Sequence, residues 1–98
     1  MKHVNITVRG RVQRIGFRFY SMEAAYKFGV FGMVMNQDDG SVCIEAEGKE
    51  MAVEQFLQWC HTGPLGARID AVEVTEGPVK GYTSFEIRSR AKWMNTED

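Results

Sequence analysis

Ninety-eight residues suffice for one domain and not for two, and a composition of 44% hydrophobic and 26% charged residues is ordinary for a globular chain. A net charge of −1 excludes the broad basic field of a strongly nucleic-acid-binding domain, so any anion site must be local. No apolar run approaches membrane-spanning length, the opening MKHVNITVRG lacks the apolar stretch of a secretory signal, and Cys43 and Cys60 do not have metal-type spacing. A reduced, cytoplasmic protein without a membrane partner is expected, its thiols acting as small apolar side chains.

Val4, Ile6 and Val8 alternate with His3, Asn5 and Thr7, which predicts a half-buried strand. The loop GRVQRIGFR follows, with arginines at 11, 14 and 18. Phe17, Tyr20, Ala24 and Phe28 then recur at helical intervals with Ala25 beside them, and Gly29 is a natural helix stop. VFGMVMN (30–36) is apolar on both faces, as an inner strand would be, with Met33 and Met35 as packing residues. Asp39-Gly40 is a strong hairpin signal. SVCIEAE (41–47) returns as a strand with Val42, Ile44 and Ala46 on one face and Cys43, Glu45 and Glu47 on the other. KEMAVEQFLQWCHTG carries a second helix with Val53, Phe56, Leu57 and Cys60 as its stripe, ended by Gly63-Pro64. RIDAVEVTE reads as a fourth strand, GPVKGY as a turn, and SFEIR as a short last strand with Phe85 and Ile87 on one face. SRAKWMNTED has no clear pattern, so a domain over residues 1–90 and a tail over 91–98 are expected.

Strand–helix–strand–strand–helix–strand is the order of the ferredoxin-like split βαβ fold, an α+β sandwich. Two helices on one face of an antiparallel sheet, plus the short last strand, are expected. The fold alone does not give function.

The loop between the first strand and first helix is the leading candidate site. Its backbone N–H groups and the helix dipole favour an anion, and Arg18 can turn a planar fork toward it. It is not a Walker loop, because Phe17-Arg18 stands where Lys-Ser/Thr is needed. Residue types alone leave two readings, a phosphate or carboxylate site and a solvated basic turn. Asn36 likewise has two: capping the turn, the commoner role, or holding a water by donating and accepting at once. Arg11 reads as a solvated strand-end residue. His3 and His61 are far apart with no ligand partner in spacing, no serine sits in a nucleophile elbow, and Asp38, Asp39, Glu45 and Glu47 read as a solvated hairpin edge rather than a metal site.

GRVQRIGFR and GMVMNQDDGSV together resemble the paired motifs of the acylphosphatase family, G-x-V-Q-G-V-G-F-R and G-[WYT]-V-x-N-x-x-[DN]-G-x-V, and FEIR is similar to the family's ending. The resemblance spans about Val4 to Arg88. It implies hydrolysis of the carboxyl–phosphate anhydride of small acyl phosphates to carboxylate and inorganic phosphate, with no metal or organic cofactor. It places the phosphate-binding arginine at Arg18, the water-orienting asparagine at Asn36, and the phosphate-binding loop at Gln13, Arg14, Ile15, Gly16 and Phe17. It implies a monomer acting on small molecules, without nucleic acid. Two positions depart from the pattern: Arg14 replaces a glycine and Met33 an aromatic residue. A left-handed backbone at residue 14 would strain any side chain there by roughly 1 kcal/mol.

Two other functions compete. Arg14 motivates a catalytically weakened module that binds anions or a protein partner. The element order is shared with RNA-recognition modules, but their aromatic platform belongs on the third strand, where this chain reads SVCIEAE.

Overall fold

A computed structural model describes residues 1–89. The elements are β1 (Lys2–Arg11), α1 (Phe17–Phe28), β2 (Phe31–Asn36), β3 (Val42–Gly48), α2 (Glu50–Thr62), β4 (Arg68–Gly77) and β5 (Phe85–Arg88). The tail expected from residue 91 lies outside the described residues.

The strands form one sheet in the order β4-β1-β3-β2-β5. β1, β3, β2 and β4 pair antiparallel, as the element order requires. β5 instead joins parallel to β2, so the sheet is mixed rather than wholly antiparallel. The physical reason is the long connection from Pro78 to Ser84, which carries the chain from one sheet edge to the other before β5 begins. β2 is thereby an inner strand, which explains its apolar character on both faces.

The alternation read from the sequence sets the layers. Val4, Ile6 and Val8 of β1 pair with Ala46, Ile44 and Val42 of β3, and all six point under the helices into the core. Val12, Phe17, Ala24, Ala25, Val30, Val34, Val53, Phe56, Cys60 and Phe85 join them there. Full burial of a Val, Ile or Phe side chain stabilises by about 1.5–3 kcal/mol, so this one layer carries most of the fold's stability.

α1 packs with Phe17, Ser21, Ala24 and Ala25 inward, while Tyr20 is largely exposed. At about 100° per residue, Tyr20 and Ser21 lie on opposite sides of Phe17. α1 rolls toward Ser21, because three small residues on that stripe let the helix lie close to the sheet. The expectation that Tyr20 belongs to the core stripe is therefore corrected. Gly29 ends α1 in the left-handed conformation with its N–H bonded to the Ala25 carbonyl at 2.9 Å.

Gly32 of β2 is demanding in another way. Its φ is 150°, and a Cβ there would stand 1.8 Å from the Glu45 carbonyl oxygen of β3. Gly32→Ala must therefore part the two strands or shift one of them. A cost of at least about 3 kcal/mol is expected, read as a lowered urea midpoint with an unchanged m-value; an unchanged midpoint would contradict this close approach.

The face of the sheet away from the helices departs from the sequence reading. Glu47 was expected on a solvated edge and His3 as a lone side chain; both are buried, with His3 Nδ1 2.7 Å from Glu47 Oε1. β1–β3 pairing sets them opposite one another, and the 78–84 connection covers them. Glu47 also accepts the Lys80 N–H at 2.9 Å and the Tyr82 N–H at 2.6 Å. Burial pushes its pKa up, but those two N–H groups and the His3 ring outweigh it and hold the carboxyl below the ordinary glutamate value. Glu45 is half-buried beside it and meets Lys80 Nζ and the Tyr82 hydroxyl, each at 2.9 Å.

Candidate functional site

The site is built where the β1–α1 loop, the end of β2 and the end of β5 meet. A concavity of about 180 Å³ there is lined by Arg14, Gly16, Phe17, Arg18, Phe19, Asn36 and Ile87. Among the described residues, two arginines and no carboxylate face it. A larger groove of about 340 Å³ lies between α1 and α2, with mainly apolar walls of Tyr20, Ala24, Phe28, Trp59, Pro64 and Leu65, one cation, Lys27, and one carboxylate, Glu23. It pairs a single cation with a carboxylate and has no helix N-terminus in its lining, so the smaller concavity is the candidate.

The loop shape follows from two left-handed residues. Gly16 precedes α1 at φ 80°, and Arg14 stands at φ 66°, the only non-glycine residue with positive φ among the described residues. Position 14 thus has the backbone that the motif's glycine would take without strain. No side chain caps α1 and its first turn holds no acidic residue, so its leading N–H groups and the positive end of the dipole remain open to an anion. Ile15 is half-buried against the core and Phe17 fully buried, anchoring the loop on both sides of Gly16.

Arg18 lies in the first turn of α1, half-buried, and its Nη1 donates to the Arg88 carbonyl of β5 at 3.2 Å. One arm of the guanidinium is thereby tethered, while the side chain still lines the concavity. β5, which seemed a minor strand in the sequence, provides this tether and the Ile87 wall.

Asn36 is the last residue of β2, paired with Val42 across the hairpin and half-buried. Among the described residues its side-chain amide makes no hydrogen bond. It does not cap the turn. Asp39 does that, accepting from the Ser41 N–H at 3.0 Å and the Ser41 hydroxyl at 2.6 Å. These two bonds, with Arg9 Nη1 at 3.0 Å from Asp39 Oδ2, lower the Asp39 pKa to about 2. The Asn36 amide is left facing the concavity.

Sequence reasoning placed Gln13 in the loop for its backbone; its side chain has a further part. Gln13 Nε2 donates to the carbonyls of Gln37 at 2.8 Å and Ser41 at 2.9 Å. It clips the loop to the β2–β3 hairpin, and so sets the loop against Asn36. Arg14, Gly16, Phe17, Arg18 and Asn36 all line one concavity; Gln13 and Ile15 support it from behind. Phe19, Ile87 and the Arg88 carbonyl were not anticipated. Phe19 was legible as an exposed aromatic one residue past Arg18; the part played by β5 depends on long-range pairing and was not.

The chain is thus a ferredoxin-like sandwich with two arginines and an uncapped helix N-terminus at one strand–loop–helix junction. The family model for acylphosphatase matches residues 4–87. The chain is 46% identical over 88 residues to an acylphosphatase of Thermotoga petrophila, covering 90% of this chain and 98% of that one. It is 44% identical over 85 residues to an acylphosphatase of Nocardioides sp., covering 87% and 86%. The crystal structure of acylphosphatase from Bacillus subtilis superposes with a TM-score of 0.87 at 37% identity, covering 90% of this chain and 99% of that one. The chain belongs to the acylphosphatase family.

Proposed function

We propose that this chain is an acylphosphatase that hydrolyses the carboxyl–phosphate anhydride of small acyl phosphates to carboxylate and inorganic phosphate. The observation that carries the reading is the convergence of Arg18, the N-terminus of α1 and the Asn36 amide on one concavity where, among the described residues, no carboxylate stands and the Asn36 amide has no partner.

The phosphoryl group sits on the loop amides of Gln13 to Phe17 with Arg18 across its oxygens. Asn36 accepts from and donates to a water on the side of phosphorus opposite the leaving group. The water oxygen bonds to phosphorus, the bond from phosphorus to the acyl oxygen breaks, and the carboxylate departs. Phosphoryl transfer needs positioning and charge stabilisation more than covalent help, and donors fixed before the reaction supply both. A carboxylate needs no strong general acid to leave. The water's proton passes to a phosphoryl oxygen of the substrate. No organic cofactor or metal enters this scheme.

A monomer in the cytoplasm is the setting proposed. Cys43 and Cys60 are both free thiols, and burial pushes the Cys60 thiol far above its usual pKa, so it is inert as a nucleophile. No helix among the described residues is long and apolar enough to cross a membrane. A weakened, non-catalytic module would require residue 14 to reshape the loop, whereas Arg14 adopts the left-handed backbone and Gly16 still opens α1.

The test is hydrolysis of benzoyl phosphate by the purified chain. Asn36→Ala is expected to lower kcat by about 10²–10³-fold, the scale of one lost transition-state contact, with KM changed little and the melting temperature retained. Wild-type turnover no faster than buffer, at high protein concentration, would refute the reading. An Asn36→Ala variant with full kcat would remove Asn36 from it.

A further inference from the structure

Arg14 combines three features not accounted for by the phosphate cradle. It is a non-glycine residue held at φ 66°. Its side chain is exposed yet lines the same concavity as Arg18 and Asn36. Like Arg11 and Arg18 it has no carboxylate partner among the described residues, whereas Arg9, Arg68 and Arg88 are each paired with one; of the unpaired three, Arg14 and Arg18 line the concavity. A strained backbone at a functional site points to a side chain with work to do there. The phosphoryl oxygens already have Arg18 and the helix N-terminus; a second, outer cation is free to meet another anionic group.

We propose that Arg14 is a specificity-determining residue that selects acyl phosphates whose acyl group carries a second negative charge. The inference rests on the acylphosphatase reading and deepens it by naming the substrate class. Phe19 and Ile87, both exposed apolar side chains, line the same concavity as Arg14 and Arg18. They suit an apolar spacer between the anhydride and the distal anion. Arg14 stands at solvent, so its attraction is a few-fold effect and screened by salt. A carboxylate is the simplest distal group, since it can accept two parallel N–H bonds from the guanidinium fork.

The experiment compares benzoyl phosphate with 4-carboxybenzoyl phosphate in wild type, Arg14→Gln and Arg14→Lys. The quantity read is the ratio of kcat/KM for the two substrates, taken relative to wild type, so that their intrinsic reactivities cancel. Arg14→Gln is expected to lower that ratio about fivefold at low ionic strength, chiefly through KM. Arg14→Lys is expected to restore most of it, and 0.5 M salt to bring wild type toward Arg14→Gln. An unchanged ratio in Arg14→Gln overturns the proposal, as does a changed ratio that neither lysine nor salt affects, since that marks a loop distortion. Calorimetric binding of phenacylphosphonate and its 4-carboxy derivative, in which a methylene replaces the bridging oxygen, gives the same comparison without turnover. Wild type that hydrolyses neither substrate but binds the carboxy analogue more tightly, and only through Arg14, defeats the enzymatic reading and keeps this one. Equal binding of the two analogues defeats this one as well.

Discussion

Arg18→Ala is expected to lower kcat/KM for benzoyl phosphate by about a thousandfold, with the melting temperature nearly unchanged. An arginine that meets a phosphoryl group is worth about 10³–10⁵ in rate where it carries the developing charge. The lower end is appropriate here because the open N-terminus of α1 shares the load. The fold is spared because Arg18 is only half-buried and its side chain's one hydrogen bond to described residues is the 3.2 Å contact with the Arg88 carbonyl. Arg18→Lys separates charge from geometry. A lysine keeps the positive charge but has no planar fork, and it cannot serve the Arg88 carbonyl and two phosphoryl oxygens with the same geometry. Its activity should fall between wild type and alanine, nearer alanine. Activity in Arg18→Ala within tenfold of wild type would show that the loop amides bind the phosphoryl group without it.

Local signals carried the sequence reading furthest. Alternation at Val4, Ile6 and Val8, the Asp39-Gly40 turn and the Gly29 stop each depend on residues near in sequence, and each stands in the structure. The loop and Asn36 were singled out as a candidate site by the paired motifs rather than by residue type, which left the loop open between two readings and favoured turn capping for Asn36, a part that Asp39 takes instead. What depends on pairing between distant strands was not legible. Glu47 alternates with Ala46 and so looked solvent-facing, but β1 brings His3 opposite it and the 78–84 connection closes over both. Gln13 gave no sign that its amide would clip the hairpin, because Gln37 and Ser41 reach it only through the fold. The same is true of β5, whose four residues hold Arg18 by a backbone carbonyl that no side-chain pattern reports.

Glu47→Ala is expected to cost about 3–5 kcal/mol of stability, the scale of breaking a buried ionic contact from one side. The carboxylate takes His3 Nδ1, the Lys80 N–H and the Tyr82 N–H, and it is fully enclosed. An ionised carboxylate only accepts, so His3 presents a proton at Nδ1. Removing it strands the buried His3 donor and leaves the part-buried Lys80 and Tyr82 N–H groups without their acceptor, each costing about 1–3 kcal/mol if it finds no substitute. A domain of this size shifts by about 4–8 °C per kcal/mol, so a melting-temperature loss of some 12 °C or more should be seen. Glu47→Gln tests the charge apart from the volume: it fills the space but turns an NH₂ toward donors. The pH dependence follows from the sign of the shift. The folded pKa lies below the ordinary value, so the contribution is complete above the unfolded pKa, near 4.3, and drains away as pH falls through the folded one. Wild type should therefore lose its advantage over Glu47→Gln as acid is added below about pH 5, in urea titrations of both chains. An advantage that stays constant from pH 7 to pH 3 would mean that folding does not shift the Glu47 pKa, and one that grows as pH falls from 7 toward the unfolded pKa would mean that Glu47 is held as a neutral acid, with a hydrogen-bond pattern at His3 the reverse of the one described.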